Sequence, residues 1–169
     1  MTVRPRRVAA ALLTLLLAAS IAAAKEKFRP FELKTPEGSR KTLSDVLGKA
    51  TLVVFFFPTC GYCNAAFPEI QKLHDAYKDR GLSMVWINVI PQQERLIASW
   101  RKKNGYSAPL LLGGRSIQKD YKLTMTPTHY LLDADGNILW THAGYTPGDE
   151  KDLERRIQEA LPDPIPDRF

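Results

Sequence analysis

Apolar and polar positions change rhythm several times along this chain, and each change marks an element. Phe31 to Lys34 alternates apolar with polar residues, the pattern of a half-buried strand, and Pro36-Glu37-Gly38-Ser39 supplies turn chemistry behind it. Leu43 to Leu47 offers one short turn before Gly48. Thr51 to Phe57 (TLVVFFF) is an unbroken run of β-branched and aromatic residues, which predicts a central strand buried on both faces. From Cys60 the period lengthens. Cys63, Phe67, Ile70, Leu73 and Tyr77 recur at three- and four-residue spacing, one face of a helix that ends near Gly81 and carries a kinking proline at Pro68.

Leu82 to Ile90 predicts a second buried strand, and Gln93 to Asn104 a helix with Leu96, Ile97 and Trp100 inward and Gly105 as its stop. A brief apolar run, Leu110 to Leu112, precedes a short helix around Ile117 to Tyr121. Thr128 to Leu132, the turn Asp133-Ala134-Asp135-Gly136 and Asn137 to Thr141 form a hairpin, and Asp149 to Leu161 a last amphipathic helix. Strands alternating with helices and finishing in hairpin and helix imply an α/β fold: a mixed central β-sheet with helices on both faces and an N-terminal β extension.

The two ends of the chain are different in kind. Residues 1–24 combine Arg4, Arg6 and Arg7 with an apolar stretch from Val8 to Ala19 and small residues at Ala22 and Ala24, the layout of a secretory leader. It is either cleaved after Ala24 or kept as an anchor, and it is short and Ala-rich for a span of roughly 20 strongly apolar residues. Residues 25–161 are then one domain, and 162–169, rich in proline, are an irregular tail. Without the leader's arginines the formal charge falls from +6 to +3, too mild to argue for a nucleic-acid partner. Arg101, Lys102 and Lys103 suit the cationic end of a helix whatever binds there.

The candidate chemistry lies in the only two cysteines, Cys60 and Cys63, at the hand-over from buried strand to helix. A thiol in the first helical turn faces unpaired backbone N–H groups and the positive end of the helix dipole, so its thiolate is favoured. A second thiol three residues on lies one turn along the same helix and can attack a mixed disulfide formed by the first. Cys60 is therefore the candidate nucleophile and Cys63 the buried resolving thiol, by two successive displacements. A structural bridge is disfavoured because so short a loop hardly constrains the unfolded chain. Half of a zinc site is disfavoured too: no second CxxC exists, and His74, His129 and His142 show no ligand spacing.

On these residues the chain resembles the thioredoxin superfamily, and from Phe28 to Leu161 its TlpA/ResA branch of exported disulfide reductases. The resemblance is carried by FFFPTCGYC, by Pro68 eight residues after Cys60, by Met125-Thr126-Pro127-Thr128 and by YLLDADGNILWTHAG. It implies a thioredoxin fold, a cis Pro127 opposite the cysteines, and a Thr126 backbone that pairs with the substrate chain. Three positions depart from the pattern. Thr59 replaces the tryptophan usual before the first cysteine, Val54 the buried acid six residues before it, and Ala66 the glutamate three residues after the second. Both customary proton acceptors for the buried thiol are thus missing. Thr-Cys-Gly-Tyr-Cys with Thr before the proline resembles instead the DsbC/DsbG isomerases, whose N-terminal dimerisation domain this chain has no room for.

Gly61, Tyr62, Thr126, Pro127 and Gly144 are the candidate substrate contacts, Gly144 because it lets a partner backbone approach. His129, on the strand after Pro127, lies either near the cysteines or, the favoured reading, partly exposed on the face away from them. His74 and His142 are expected at the surface, and Trp86, Trp100 and Trp140 in core or groove packing. The implied function is thiol–disulfide exchange with exported proteins by a monomer, in the periplasm or another extracytoplasmic space, with electrons from a membrane donor. The membrane is met only through an uncleaved leader, and no cofactor or metal is needed beyond the Cys60–Cys63 disulfide. A Dsb-type oxidase or isomerase is one alternative. A peroxiredoxin-like thiol peroxidase is another, although Pro58 lies only two residues before Cys60 where that family uses P-x-x-x-T-x-x-C. A Sco-like copper carrier would need three residues between its cysteines and a histidine ligand.

Overall fold

The computed structural model describes residues 25–162; the leader, and all of the tail but Pro162, lie outside the described residues. The central strand is β3 (Ala50–Phe56), every residue of which is buried. It pairs in parallel with β4 (Leu82–Asn88) and antiparallel with β6 (Thr128–Asp133). The mixed sheet has seven strands in the order β2-β1-β5-β4-β3-β6-β7, where β1 is Glu32–Lys34, β2 Arg40–Thr42, β5 Leu110–Leu112 and β7 Ile138–Ala143. The β1–β2 hairpin is the N-terminal extension, antiparallel to β5 at the sheet edge.

Alternation along the strands sends side chains to two cores. Leu52, Val54 and Phe56 join Met84, Trp86 and Leu131 beneath α1 (Gly61–Tyr77), α2 (Ile97–Asn104) and α4 (Asp149–Ala160). Val53 and Phe55 join Val85, Ile87 and Leu132 on the opposite face, covered by Ile117 of α3 (Gly114–Asp120) and by Phe28, Leu43 and Val46. Phe67 anchors the first core, its ring 3.9 Å from Trp86, 4.3 Å from Trp100 and 4.6 Å from Tyr106.

Several boundaries differ from the periodicity. α1 runs unbroken through Pro68 and stops at Tyr77, because a 3₁₀ turn over Lys78–Arg80 leads into Gly81 at φ +106°. The helix expected from Gln93 is 3₁₀ over Pro91–Leu96 and α only from Ile97. Arg101, Lys102 and Lys103 do form its last turn. β2 is an added strand: Arg40-Lys41-Thr42 has no apolar position to announce it, and its pairing with β1 defines it. The hairpin turn is organised by Asp133, whose Oδ1 accepts from the N–H of Asp135 (3.1 Å) and of Asn137 (2.8 Å).

Candidate active site

β3 delivers the chain through Phe57-Pro58-Thr59 to Cys60, which caps α1 in an extended conformation (φ −71°, ψ 112°). No acid occupies the first turn of α1, so its positive end is left uncompensated at the cysteines. Cys60 and Cys63 form a disulfide, with Cα atoms 5.2 Å apart. The Cys63 backbone N–H also donates to Cys60 Sγ at 3.1 Å, the contact that would hold a thiolate there. Cys60 is 5% exposed and Cys63 fully buried, the order expected of attacking and resolving thiols.

The loop before β6 comes up against the same sulfur. The Thr126–Pro127 peptide bond is cis. Thr126 Oγ1 donates to Cys60 Sγ at 3.4 Å, and the Thr126 carbonyl oxygen lies 3.6 Å from it. Gly144, at φ +91°, donates its N–H to the Pro127 carbonyl at 2.7 Å, so the end of β7 is tied to the cis-proline loop. A Cβ on Gly144 would sit 3.2 Å from Met125 Sδ, at the end of a flexible side chain, and it is the positive φ that favours glycine here. Gly61 is exposed and a Cβ there would touch nothing, so its hydrogen is not demanded by the fold.

Beside the disulfide runs a groove of about 500 Å³ lined by Tyr62, Met125, Thr126, His142, Gly144 and Tyr145, among others. Tyr62 is 69% and Met125 52% exposed, two large apolar side chains held out next to the cysteines. Of the candidate contacts, Tyr62, Thr126 and Gly144 thus share one concavity. Met125 and Tyr145 are additions, and Met125 was legible only as the residue before Thr126.

His129 departs from expectation. It is 3% exposed, and it stands directly across from Val54 in the β3–β6 ladder, on the cysteine side of the sheet. Neither ring nitrogen has a hydrogen-bond partner. Burial, reinforced by the neighbouring His142, pushes its pKa down to about 4, so the ring is neutral near pH 7. His142 stacks on Trp140 with ring centroids 5.5 Å apart, and its Nε2 lies 3.1 Å from Asp149 Oδ2. Its side chain is 36% exposed and that of His74 14%, so neither is a free surface residue. Val54 and Ala66 are buried in apolar surroundings, and neither carries a proton acceptor. Among the described residues no group of three or more His, Cys, Asp or Glu is arranged to hold a metal ion.

Fold and site define a class: thioredoxin-fold proteins with a CxxC disulfide at the head of the helix that follows the central strand. The Redoxin family model matches residues 23–157, and the chain belongs to that family. It is 30% identical over 129 residues to the thioredoxin-like protein YneN of Bacillus subtilis, covering 75% of this chain and 74% of that one. It is 27% identical over 126 residues to the thiol-disulfide oxidoreductase ResA of Halalkalibacterium halodurans, covering 74% and 71%. Among solved structures, a thiol:disulfide interchange protein DsbE from Chlorobium tepidum superposes with a TM-score of 0.71 at 26% identity, over 82% of this chain and 97% of that one.

Proposed function

We propose that the protein is an exported thiol–disulfide oxidoreductase that reduces disulfides in other exported proteins. The observation that carries this reading is the Cys60–Cys63 disulfide at the head of α1, with the Cys63 N–H and the Thr126 hydroxyl both directed at Cys60 Sγ. In the reduced protein Cys60 thiolate attacks a substrate disulfide, forming a mixed disulfide and releasing one substrate thiolate, which takes up a proton. Cys63 then loses its proton and attacks Cys60 Sγ. The second substrate thiol leaves, and the Cys60–Cys63 disulfide is restored. Two electrons have passed to the substrate, and a membrane dithiol donor returns them to the protein.

The groove beside the disulfide suits an extended peptide: Tyr62 and Met125 offer apolar contact, and the Thr126 backbone an edge for pairing. Relatives named as a thiol-disulfide oxidoreductase and a thiol:disulfide interchange protein support disulfide exchange, and the leader-like residues 1–24 support export. An apocytochrome c with haem-attachment cysteines to be kept reduced is one substrate that fits.

The test is turnover of insulin disulfides by the mature protein with dithiothreitol as donor. Cys60→Ser abolishes it, and Cys63→Ser accumulates a mixed disulfide visible on non-reducing gels. Full turnover by Cys63→Ser would show the two-cysteine mechanism to be wrong.

A further inference from the structure

The Pro58-Thr59-Cys60 turn that presents Cys60 is held by side chains from outside it. Asn64, one residue beyond Cys63, reaches back over that turn. Its Nδ2 donates to the carbonyl oxygens of Pro58 (3.1 Å) and Cys60 (2.9 Å). The Cys60 carbonyl also accepts the Asn64 backbone N–H at 3.0 Å, so one residue holds it from two sides. The amide is oriented from below by Trp100, whose indole N–H donates to Asn64 Oδ1 at 2.8 Å. An indole nitrogen only donates, so this contact fixes the amide oxygen towards Trp100 and its NH₂ towards the two carbonyls.

Trp100 is itself 7% exposed and caged by aromatic rings, with centroids 4.3 Å away at Phe67, 4.8 Å at Phe56 and 5.0 Å at Tyr106. On the outer side Gln93 Oε1 accepts from both the N–H and the hydroxyl of Thr59, each at 3.0 Å. The Pro58-Thr59-Cys60 turn is therefore clamped between the aromatic core and the 3₁₀ segment after β4.

We infer that Asn64 is a positioning residue for the attacking thiol and that Trp100 acts through it. Cys60 Sγ meets the Cys63 N–H only while Cys60 keeps its extended capping conformation, because rotation about its backbone swings the sulfur off the helix end. Asn64 holds the Cys60 carbonyl, whose peptide plane sets the ψ of Cys60, and the Pro58 carbonyl at the start of the turn, so it restrains that conformation from both ends of the turn. Losing the amide frees the Pro58 carbonyl and leaves the turn with Gln93 and two backbone bonds, Cys60 N–H to the Phe57 carbonyl and Asn64 N–H to the Cys60 carbonyl, each at 3.0 Å, and the thiolate loses part of its stabilisation by the helix N-terminus. The inference rests on the exchange reading, since it assigns a task to the geometry of the attacking thiol.

The experiment is the pH dependence of Cys60 alkylation by iodoacetamide in the mature reduced protein, in a Cys63→Ser background so that one thiol reports. Asn64→Ala moves the alkylation midpoint to higher pH and slows the reaction at pH 7 by about two- to tenfold, the range for one or two lost hydrogen bonds. Trp100→Phe, which keeps an aromatic ring but loses the indole donor and part of the ring volume, shifts the midpoint the same way. Added to Asn64→Ala, it produces no further shift. An unchanged midpoint in Asn64→Ala overturns the inference, and so does a Trp100→Phe shift that persists in full on the Asn64→Ala background. Should thermal melts show that Asn64→Ala has lost its fold, Asn64→Ser, which shortens the reach but stays polar, is compared instead under the same criteria. If the wild-type protein reduces no insulin disulfide, the exchange reading fails by itself, and the alkylation comparison still decides the role of Asn64.

Discussion

Acidification between pH 6.5 and 4 should destabilise this protein chiefly through His129. The imidazole is 3% exposed, its nitrogens have no partner, and burial holds its pKa at about 4. The unfolded chain returns it to its ordinary value of about 6.5, so below that pH the unfolded state binds a proton that the folded state refuses. Stability is therefore full above pH 6.5, declines as pH falls towards 4, and changes no further once both states are protonated. At 1.36 kcal/mol per unit the shift is worth about 3 kcal/mol, most of which is lost between pH 7 and 4.5. Around the ring the His142 imidazole adds to the depression, while the His142 backbone and Asp149 oppose it. The half-buried His74 is depressed by burial as well and titrates in the same direction, so the comparison with a variant isolates His129. Urea unfolding of wild type and His129→Leu at pH 7 and pH 4.5 measures it. His129→Leu should lose about 2–3 kcal/mol less than wild type over that interval, and at pH 7 should be at least as stable, because it removes two unsatisfied buried polar atoms. Parallel pH dependences in the two proteins would refute the reasoning.

Three further outcomes follow from the packing and the site. Phe67→Ala, in the aromatic cluster beneath α1, should cost about 3–5 kcal/mol in urea unfolding at pH 7. Gly144→Ala, at φ +91° and with its Cβ 3.2 Å from Met125 Sδ, should cost about 1–2 kcal/mol in thermal or urea unfolding and lower kcat/KM for insulin by disturbing the groove. Tyr62→Ala, exposed at the groove, should raise KM for a peptide disulfide without lowering Tm, as the side chain buries little in the free protein.

The buried strands and the long helices were legible because their apolar periods are strong: TLVVFFF predicted β3 within a residue, and the spacing from Cys63 to Tyr77 predicted the inward face of α1. The cysteine pair was legible because a strand-to-helix CxxC is a local feature. What local sequence does not carry is register. His129 and Leu131 share a face by parity, but only the pairing of His129 with Val54 and of Leu131 with Leu52 decides that this face is the cysteine side. Asn64, Gln93 and Trp100 were beyond reach for the same reason. Each looks like an ordinary helix-surface or core residue until the fold brings the turn of residues 58–60 against all three.

The central claim is reductive exchange through Cys60 and Cys63, and the reduction potential of that pair, from glutathione or dithiothreitol equilibrium on the mature domain, tests it most directly. The account predicts a value at or below about −250 mV, in the range of thioredoxin. A value between about −120 and −180 mV, the range of the oxidising and isomerising Dsb-type and disulfide-isomerase proteins, would contradict it and make the protein a source or shuffler of disulfides.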